Sequence, residues 1–562
     1  MDVEAILLDD AYWDDVRGGW LDKEEVRKAM MEEVGFMQKE QLWEVVPRSR
    51  ADGQRVVSVR WVDTNKGTAE APDIRCRLVA RDFNCGDRDR EDLFAATPPW
   101  ELKRLLMSHA VDKRGGRRRK VLLIDVKKAH LYPLCKGDIF VELPEEAGAG
   151  PGMVGKLKKM LYGLRSAAAA WENHYAGKLK EIGFVRGVST PVSFYHPERD
   201  ISLVVHGDDF TFVGEDEHLD WVTKQMKGWY QLKVRARLGP DEGDDKQAVL
   251  LGRIVRWHAW GISCEADPKY RKRILEALGL GETSKCLSSP GIREEAAKDC
   301  GNAKMGEDKV YRGIVATVNY LATDQPDLQF ASKEACRDMA APDRRSWGKL
   351  KRIGRYLLGR QQVVWQYPWK EGPGNWTVTV DSDWAGDRDT RKSTSGGIIR
   401  MGEHCIKTWS VTQSSPALSS CEAEYYALVD GATRALGIQA AAKELGIVSE
   451  ELVVEAQTDS SAAKAYASRR GAGRIRHIEV RQLWVQQAVA DGRFRLAKLL
   501  GTNNPADILT KYKTIGDYQE QLRAVNVEVV GNAPEDVGWI RLGSGVRWAD
   551  AVEEEGGGES LV

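Results

Sequence analysis

The sequence lacks the patterns that mark several common protein classes. Its nine cysteines include no CxxC pair, which argues against a disulfide scaffold or a zinc site and fits a reducing compartment. It contains neither a P-loop motif nor an HExxH motif, so those ATPases and metalloproteases are not indicated. No apolar run approaches the ~18–20 residues that span a bilayer, and the acidic N-terminus does not predict a signal peptide. We therefore expect an intracellular protein that is neither secreted nor membrane-spanning.

Charge is balanced over the whole chain but clustered locally. The 562 residues carry a net charge of -1, with 42% hydrophobic and 30% charged residues, a composition typical of several globular domains. Basic runs occur at 114–120, 156–159 and 344–355, and the last contains Trp347. A basic run with an aromatic residue suits a phosphate track on which bases or sugars stack. Any one run alone is more simply a solvated loop or helix face.

The pattern of predicted elements changes at a polar stretch rich in Gly and Pro, residues 368–376. Before it, helical and strand-like segments alternate, and residues 203–214 predict a hairpin with acids at its tip. After it, the order βββαβα predicts a mixed sheet flanked by helices, which is the RNase H-like architecture. The expected fold class is a multidomain α+β and α/β chain.

A first set of acids lies at the ends of apolar strands. Asp125 ends the run VLLIDV, and Asp208 and Asp209 occupy the hairpin tip. Two adjacent acids alone are most often a solvated turn. Here rigid apolar strands flank them, and a third acid ends another strand. Carboxylates placed this way can bind two divalent metals ~3.5–4 Å apart, which activate a hydroxyl and neutralise a leaving pyrophosphate.

Five stretches resemble the reverse transcriptases of copia-type LTR retrotransposons, and they occur in that family's order. They are RCRLVARDF (75–83), IDVKKAH (124–130), KLKKMLYGLRSAAAAW (156–171), VVHGDDF (204–210) and VYRGIVATVNYLATDQPDLQFA (310–331). The resemblance implies a right-hand polymerase with fingers, palm and a thumb-like region.

The resemblance also implies roles for individual residues. Asp125 and Asp208 would be the principal metal ligands, and Asp209 would be the assisting acid. The residues implied to lie beside the incoming nucleotide are Arg75 and Arg77 in the fingers, His130, and Tyr162, Gly163 and Leu164 in the wall of the site.

The sequence departs from the family's pattern at three places. His130 stands where the family usually has a bulky aromatic residue that blocks a 2′-hydroxyl, so weaker discrimination against ribonucleotides is expected. His206 and Gly207 replace Tyr-Val before the two acids, and Gly is expected to loosen the turn. Ser166 replaces a Gln that would contact the nucleotide. The implied metal ligands are retained.

A second set of four acids follows the polar stretch. Asp381 and Asp459 each end a predicted strand, Glu424 lies early in a helix opened by Ser419, and Asp507 opens a C-terminal segment. Each has a simple alternative explanation, as a helix cap or as a partner of a helix dipole. Together they have the Asp-Glu-Asp-Asp order of a two-metal RNA hydrolase, in which four carboxylates balance two Mg²⁺ ions.

Four further stretches resemble the RNase H region of the same family. They are DSDWAGDRDTRKSTSGG (381–397), SSPALSSCEAEYYAL (414–428), RIRHIEVR (474–481) and NPADILTK (504–511). The resemblance implies that the four acids of the second set are metal ligands. His477 matches a family histidine, but the next one falls at Leu483, so we assign His477 no catalytic role. Val411 and Thr412 replace two residues that are often basic, which predicts a weaker contact to the hybrid.

The sequence therefore predicts RNA-directed DNA synthesis together with degradation of the RNA of a hybrid. The expected cofactor is Mg²⁺, two ions per site, with Mn²⁺ as a substitute. The expected partners are an RNA template, a DNA primer, RNA/DNA hybrid, dNTPs and other polyprotein products, in a cytoplasmic particle or the nucleus. Because no gag, protease or integrase motif is recognised, a partial polyprotein or a degenerate genomic copy is expected. The alternative is a remnant that binds nucleic acid and has lost polymerisation.

The expected domain boundaries follow the motifs and the composition. They are 1–250 for fingers and palm, 251–367 for a helical thumb or connection region, 368–376 for a linker, 377–513 for the RNase H-like domain and 514–562 for a flexible tail.

Overall fold

The computed structural model describes residues 12–68, 70–83, 93–281, 283–292, 307–448, 452–473 and 475–531. The expectations for the acidic start of the chain and for its last 31 residues lie outside these described residues. Within the described ranges, no helix combines the length and apolar character that a bilayer-crossing segment needs.

The described chain alternates strands and helices. The strands are β1 (Tyr12–Trp13), β2 (Trp20–Leu21), β3 (Trp43–Pro47), β4 (Val56–Val57), β5 (Val59–Asn65), β6 (Ile74–Ala80), β7 (Arg119–Val126), β8 (Phe140–Val141), β9 (Met153–Leu157), β10 (Val185–Arg186), β11 (Ser193–His196), β12 (Ile201–His206), β13 (Asp209–Glu215), β14 (Leu232–Leu238), β15 (Gln247–Leu250), β16 (Arg253–His258), β17 (Gly261–Ala266), β18 (Arg360–Pro368), β19 (Trp376–Ser382), β20 (Thr394–Met401), β21 (His404–Thr412), β22 (Val454–Thr458), β23 (Phe494–Lys498) and β24 (Val527–Gly531). The helices are α1 (Lys23–Lys39), α2 (Trp100–Ala110), α3 (Ala167–Glu181), α4 (Asp216–Trp229), α5 (Lys269–Ala277), α6 (Asp308–Ala322), α7 (Pro326–Arg337), α8 (Arg344–Leu358), α9 (Ser420–Glu444), α10 (Ser461–Ala467), α11 (Trp484–Ala490) and α12 (Ile515–Arg523).

The first large sheet has six antiparallel strands in the order β10-β11-β12-β13-β7-β14. Its central strand β7 is buried on both faces, which explains its continuous apolar run. Leu122 and Ile124 pack towards α3 and α4, whereas Val121 and Leu123 pack towards α2. The two-residue periodicity of a strand therefore anchors this sheet between two helical layers.

A smaller unit has a hydrophobic cluster of its own. It contains the four-stranded sheet β3-β9-β8-β4 and the hairpin β5-β6. Helix α1 begins at the cap Asp22, whose side chain accepts from the Glu25 N–H, and it buries Val26 and Met30. The helical spacing of its apolar residues explains that buried face.

The middle region contains a sheet as well as helices. Strands β15, β16, β17 and β18 form an antiparallel sheet, and helices α5 to α8 pack beside it. The region 251–367, expected to be helical, therefore contains the predicted helices together with strands β16 to β18. Short alternating strands such as β16 have no long periodic run that separates them from the helices that follow.

The C-terminal segment completes that middle sheet. β24 pairs with β18 in antiparallel register, and the α12 residues Tyr518 and Leu522 are buried in the core. The expectation of a flexible tail is therefore wrong for residues 514–531. Pairing between strands more than 150 residues apart leaves no local signal in the sequence.

The last sheet is mixed and has the order β21-β20-β19-β22-β23. Its first three strands are antiparallel neighbours, whereas β22 runs parallel to β19, and β23 runs parallel to β22. Helix α9 packs across β19 and β20. This arrangement confirms the predicted multidomain α/β class with an RNase H-like mixed sheet flanked by helices.

Candidate functional sites

The fold brings the first set of acids to one edge of the six-stranded sheet. Asp209 lies directly opposite Asp125 in the register of β13 and β7. The backbone N–H of Val126 donates to the carbonyl of Asp208 at 3.0 Å. Asp208 is exposed at the hairpin tip, whereas Asp125 and Asp209 are partly buried. Acids 83 and 84 residues apart in the chain thus meet where two central strands end.

The hairpin tip is held by a glycine and a tryptophan. Gly207 has φ +64°, in the left-handed region where a β-branched residue would be strained. A glycine at the first turn position suits the type II′ turn of a two-residue hairpin. The Trp171 Nε1–H donates to the Gly207 carbonyl at 2.8 Å, and Trp171 is itself buried. Gly207 therefore supplies the positive φ that this turn uses, and Trp171 anchors its carbonyl.

An arginine that the sequence motifs did not indicate lies between two of these acids. Arg235 on β14 places Nη2 3.2 Å from Asp125 Oδ1 and Nη1 3.0 Å from Asp209 Oδ1. Burial raises the pKa of Asp209, and the Arg235 guanidinium opposes that rise. The strands alone gave no signal for Arg235, because a register shift between Val234 and Ala236 decides where its side chain points.

Three of the residues implied to contact nucleotide form one group near Asp208. The Arg77 guanidinium lies 5.8 Å from the Tyr162 ring centroid, and the His130 ring lies 6.0 Å from the same ring. Burial lowers the pKa of His130, with attraction to Asp208 opposing it and repulsion from Arg77 adding to it. Burial thus favours the neutral form of the His130 imidazole.

Gly163 lies beside this group, whereas Arg75 lies outside it. Gly163 has φ +81°, and a Cβ there would lie 2.2 Å from the Ala80 carbonyl oxygen. The Ala80 N–H donates to the Tyr162 carbonyl at 2.7 Å, so this turn packs against the end of β6. Arg75 instead pairs with Asp73 at 2.9 Å and is exposed. The structure brings Arg77 to the group and does not bring Arg75.

A buried lysine lies beneath the same sheet. Lys103 of α2 donates from Nζ to the Val204 carbonyl and to Thr211 Oγ1, both at 2.9 Å. Burial lowers its pKa to about 7, and attraction to Asp209 opposes that change. Its helical setting in WELKRLL gives no sequence signal that distinguishes it from a surface lysine.

The second set of acids forms a tight group of three. One ligand oxygen each from Asp381, Glu424 and Asp459 lies within 4.8 Å of the others, which makes this the one such cluster found among the described residues. Asp381 ends the central strand β19, Glu424 lies in the first turns of α9, and Asp459 follows β22. Parallel pairing of β19 and β22 brings the strand ends together.

The electrostatics of this cluster fit a bound cation. Burial, joined by repulsion from neighbouring acids, raises the pKa of Asp381 to about 7 and that of Glu424 to about 8. Glu424 Oε1 accepts from the Ser382 hydroxyl at 2.9 Å, whereas the buried Oε2 has no hydrogen-bond partner. Carboxylates that repel one another, one of them with a buried oxygen that lacks a donor, suit a divalent metal.

The fourth acid stands apart from the cluster. Asp507 lies in a short 3₁₀ helix and pairs with Lys511 and with Lys513, the latter at 2.7 Å. Burial acts to raise the pKa of Asp507, but the hydrogen bonds from both lysines outweigh burial, so the pKa lies below its ordinary value. Lys511 Nζ also lies 3.7 Å from Asp381 Oδ2. The structure thus brings three of the four predicted acids together, and lysines hold the fourth.

His477 lies beside the second site without joining it. Its Nε2 is 3.0 Å from both carboxylate oxygens of Glu422. Glu422 also accepts from the Leu418 N–H and the Tyr426 hydroxyl. These contacts hold the start of α9, the helix that carries Glu424.

Two of the basic runs supply structural ion pairs. In the first, Arg119 pairs with Asp200 at 2.7 Å and Lys120 pairs with Asp244 at 2.9 Å, at the end of β7 opposite to Asp125. In the second, Lys156 and Lys159 each pair with an acid. Because Arg119 and Lys120 are buried, the first run is not entirely the solvated face that the simpler interpretation expects.

The aromatic residue of the third run does not serve as a stacking surface. Trp347 is buried and packs edge-on against Tyr311, with the ring centroids 5.5 Å apart. The prediction of base stacking at Trp347 is wrong, because its position on α8 faces the core. The exposed tryptophan near a catalytic candidate is instead Trp384, whose Nε1–H donates to the Ala417 carbonyl at 3.1 Å.

The chain resembles known proteins over most of its length. Residues 40–245 match the family described as reverse transcriptase (RNA-dependent DNA polymerase). The chain is 28% identical over 510 residues to the Retrovirus-related Pol polyprotein from transposon TNT 1-94 of Nicotiana tabacum, covering 87% of this chain and 37% of that protein. It is also 28% identical over 502 residues to the Pol polyprotein from transposon RE1 of Arabidopsis thaliana, covering 87% and 33%.

The relatives are longer than this chain, which spans about a third of their length. Among solved structures, a foamy viral protease-reverse transcriptase in complex with RNA/DNA hybrid aligns at 12% identity with a TM-score of 0.43, covering 89% of this chain and 62% of that one. Residues 40–245 are thus similar to the reverse transcriptase family, and most of the chain is similar to the Pol polyproteins of copia-type plant retrotransposons.

Proposed function

We propose that the chain is an RNA-directed DNA polymerase that also has RNase H activity on RNA/DNA hybrids. The observation that carries the proposal is the presence of two separate acidic groups, each at the end of a central strand of a different sheet. One comprises Asp125, Asp208 and Asp209, and the other is the converged cluster of three carboxylates on the RNase H-like sheet. Two chemistries on one hybrid require two such sites.

In the polymerase site, we assign Asp125 and Asp208 as principal metal ligands and Asp209 as the assisting acid. Bound Mg²⁺ ions would activate the primer hydroxyl and neutralise charge on the leaving pyrophosphate. Arg77 supplies a positive charge for the triphosphate, since it lies over the Tyr162 ring with its guanidinium accessible. His130 faces the same space. Its imidazole is planar but smaller than the bulky aromatic residue that is usual in the family.

In the RNase H site, Asp381, Glu424 and Asp459 hold the metals. Two of these carboxyls have raised pKa values, so they release protons when divalent cations bind. We keep Asp507 as the fourth acid of this site. Lys511 bridges Asp507 towards Asp381, and it would have to move for Asp507 to become a ligand.

The proposed partners and setting follow from the same assignment. The substrates are an RNA template, a DNA primer, RNA/DNA hybrid and dNTPs, and the cofactor is Mg²⁺, with Mn²⁺ as a substitute. Residues up to about 250 form the polymerase part, and residues 377–513 form the RNase H part. We place the protein inside the cell, in a particle or the nucleus, with other polyprotein products as partners.

Primer extension on an RNA template tests the polymerase assignment. Asp208→Asn is expected to reduce extension by about two orders of magnitude or more, because a ligand at the reacting centre is lost. The matched control is Asp220→Asn, which changes an exposed acid that pairs with Arg237 away from the site. Extension that is equal in the parent and in Asp208→Asn, or absent from both, rejects the polymerase and favours the non-polymerising remnant.

Cleavage of a labelled RNA/DNA hybrid tests the nuclease assignment. Glu424→Gln is expected to abolish cleavage, since it removes one of the three converged carboxylates. Asp430→Asn is the control on the same helix, because Asp430 pairs with Arg434 on the surface of α9. If Glu424→Gln cuts as well as the parent, the second site is wrongly assigned.

A further inference from the structure

The polymerase site already contains a positive charge supplied by the chain. The two terminal nitrogens of Arg235 reach one oxygen of Asp125 and one of Asp209, at 3.2 and 3.0 Å. The guanidinium therefore bridges the two partly buried acids of the site and leaves Asp208 at the exposed tip. Its own side chain is 44% exposed, so it is not locked in place by packing.

A defect in the sheet places Arg235 there. Lys233 lies opposite Asp125 and Val234 opposite Ile124, but the next paired residue on β14 is Ala236, opposite Leu123. Arg235 is thus the extra residue of a β-bulge, free of the regular alternation. Bulges redirect side chains and are enriched beside active sites.

The guanidinium and a divalent metal compete for the carboxylates of Asp125 and Asp209. Their positive charges repel each other, and Mg²⁺ demands near-octahedral geometry at about 2.0–2.1 Å, so an arginine nitrogen in contact with Asp125 Oδ1 and Asp209 Oδ1 opposes metal binding there. The RNase H site offers a contrast, because its nearest cation, Lys511, lies 3.7 Å from Asp381 and is held by Asp507. Its three acids converge, whereas the acids of the first site do not form such a cluster within the described residues.

We propose that Arg235 is an internal counter-ion that competes with divalent metal for the polymerase site and withdraws into solvent when metal binds. The inference rests on the proposed polymerase function, and it adds a residue that sets how much metal the site requires. The two sites of the chain would then fill at different metal concentrations, because the cation of the second site, Lys511, pairs with Asp507 and stays 3.7 Å from Asp381.

Iron-directed cleavage of the full-length protein measures occupancy at each site separately. Fe²⁺ replaces Mg²⁺, and ascorbate with hydrogen peroxide cuts the backbone beside each bound iron. Cuts near residues 125 and 208 report the first site, and cuts near 381, 424 and 459 report the second. Arg235→Gln is expected to lower the half-saturating Fe²⁺ concentration of the first site by about threefold to tenfold, the range that two partly exposed ion pairs support.

The matched control is Arg237→Gln on the same strand. Arg237 also forms ion pairs with two acids, Asp216 and Asp220, but both lie away from the site. The Arg237→Gln substitution is expected to leave both half-saturating Fe²⁺ concentrations unchanged. In Arg235→Lys, the half-saturating Fe²⁺ concentration of the first site is expected to lie between those of the parent and Arg235→Gln. Unchanged cuts at the second site in every variant verify that the fold is intact.

The outcomes separate this inference from the proposed function. First-site cuts that appear at the same or a higher Fe²⁺ concentration in Arg235→Gln than in the parent overturn the competition and leave the polymerase assignment standing. First-site cuts that are absent from both proteins at saturating iron overturn the polymerase site itself, and the competition with it.

Discussion

Gly163 lies where the wall of the proposed polymerase site meets β6, and it has two independent reasons to be glycine. Its φ is +81°, and a Cβ would come within 2.2 Å of the Ala80 carbonyl oxygen and 2.5 Å of Val79 Cγ1. Gly137 has nearly the same φ, +83°, but open space around it. A comparison of substitutions at Gly163 and Gly137 therefore separates the effect of backbone strain from the effect of steric contact.

We predict that Gly163→Ala destabilises the protein more than Gly137→Ala does. Gly137→Ala is expected to cost roughly 1 kcal/mol of unfolding free energy, from left-handed backbone strain. Gly163→Ala adds a clash that is expected to cost a further ~1–3 kcal/mol. Chemical denaturation of the two variants measures the difference, and equal losses would show that the contact with β6 relaxes freely.

The positions of the acids could be predicted from the sequence, but the positions of the cations that surround them could not. The strand ends and the hairpin tip follow from local patterns, so the meeting of Asp125 with Asp209 could be predicted. Arg235 depends on a bulge, Lys511 and Lys513 on the fold of a short 3₁₀ helix, and Lys103 on burial beneath a sheet. Each requires tertiary structure that no local period encodes.

At the scale of elements, the hairpin β12-β13 depends on α3. Trp171 donates its indole N–H to the Gly207 carbonyl and packs edge-on against Phe210 and Tyr230. The helix thereby holds the turn that presents Asp208. This contact between distant segments explains why the stretch 156–171 and the hairpin belong to one site.

Trp171→Phe is predicted to impair primer extension more than it impairs hybrid cleavage. The ring is largely preserved, but the Gly207 carbonyl loses its donor, and the position of Asp208 becomes less defined. We expect a loss of about threefold to tenfold in extension, matching a lost hydrogen bond of ~0.5–1.5 kcal/mol. Trp221→Phe, which changes a ring on α4 that packs against His196, serves as the control.

The C-terminal strand is the second element that sequence patterns did not place. β24 covers the edge of β18, and the α12 residues Tyr518 and Leu522 enter the main core. A chain that ends at residue 513 is therefore predicted to lose several kcal/mol of stability relative to a chain that ends at residue 531, because two large core side chains are removed. Thermal unfolding compares the two, and equal midpoints would mean that β24 does not hold the sheet.

At the scale of the whole molecule, one continuous core joins the proposed polymerase and RNase H parts. α2, the middle sheet and the mixed sheet all contribute to it. Arg104 of α2 pairs with buried Asp324 at 3.0 Å and stacks over Trp365 of β18 at 3.4 Å. Motifs located each part separately, but this shared core could not be predicted, because it depends on pairings across the full chain.

The junction also contains a buried chain of hydrogen bonds. Lys370 Nζ donates to Ser108 Oγ at 2.9 Å, and Ser108 lies 2.7 Å from His404 Nδ1. His404 Nε2 donates to the Pro368 carbonyl at 2.9 Å, and burial lowers the pKa of this histidine to about 3. The linker is thereby fixed to α2 and to β21.

Burial lowers the pKa of Lys370 to about 7, with attraction from Asp112 opposing it and repulsion from Arg114 adding to it. Between pH 7 and about 10.5 the unfolded chain binds more protons at Lys370 than the folded chain does. The contribution of Lys370 to the free energy of unfolding therefore rises with pH over this range. Lys370→Met removes the charge, and its stability relative to the parent is predicted to be highest below pH 7 and to decline towards pH 10. Melting curves across this range measure it, and a difference that does not change with pH would contradict the buried charge.

The central claim is that two spatially separate carboxylate sites carry two different reactions on one hybrid. The most direct measurement is a single reaction on a primed RNA template with different labels on the primer and the RNA, run with Asp208→Asn and Glu424→Gln in parallel. Asp208→Asn is expected to lose extension and keep RNA cleavage, and Glu424→Gln is expected to lose cleavage and keep extension. Loss of both activities in either variant, or of neither, would contradict it.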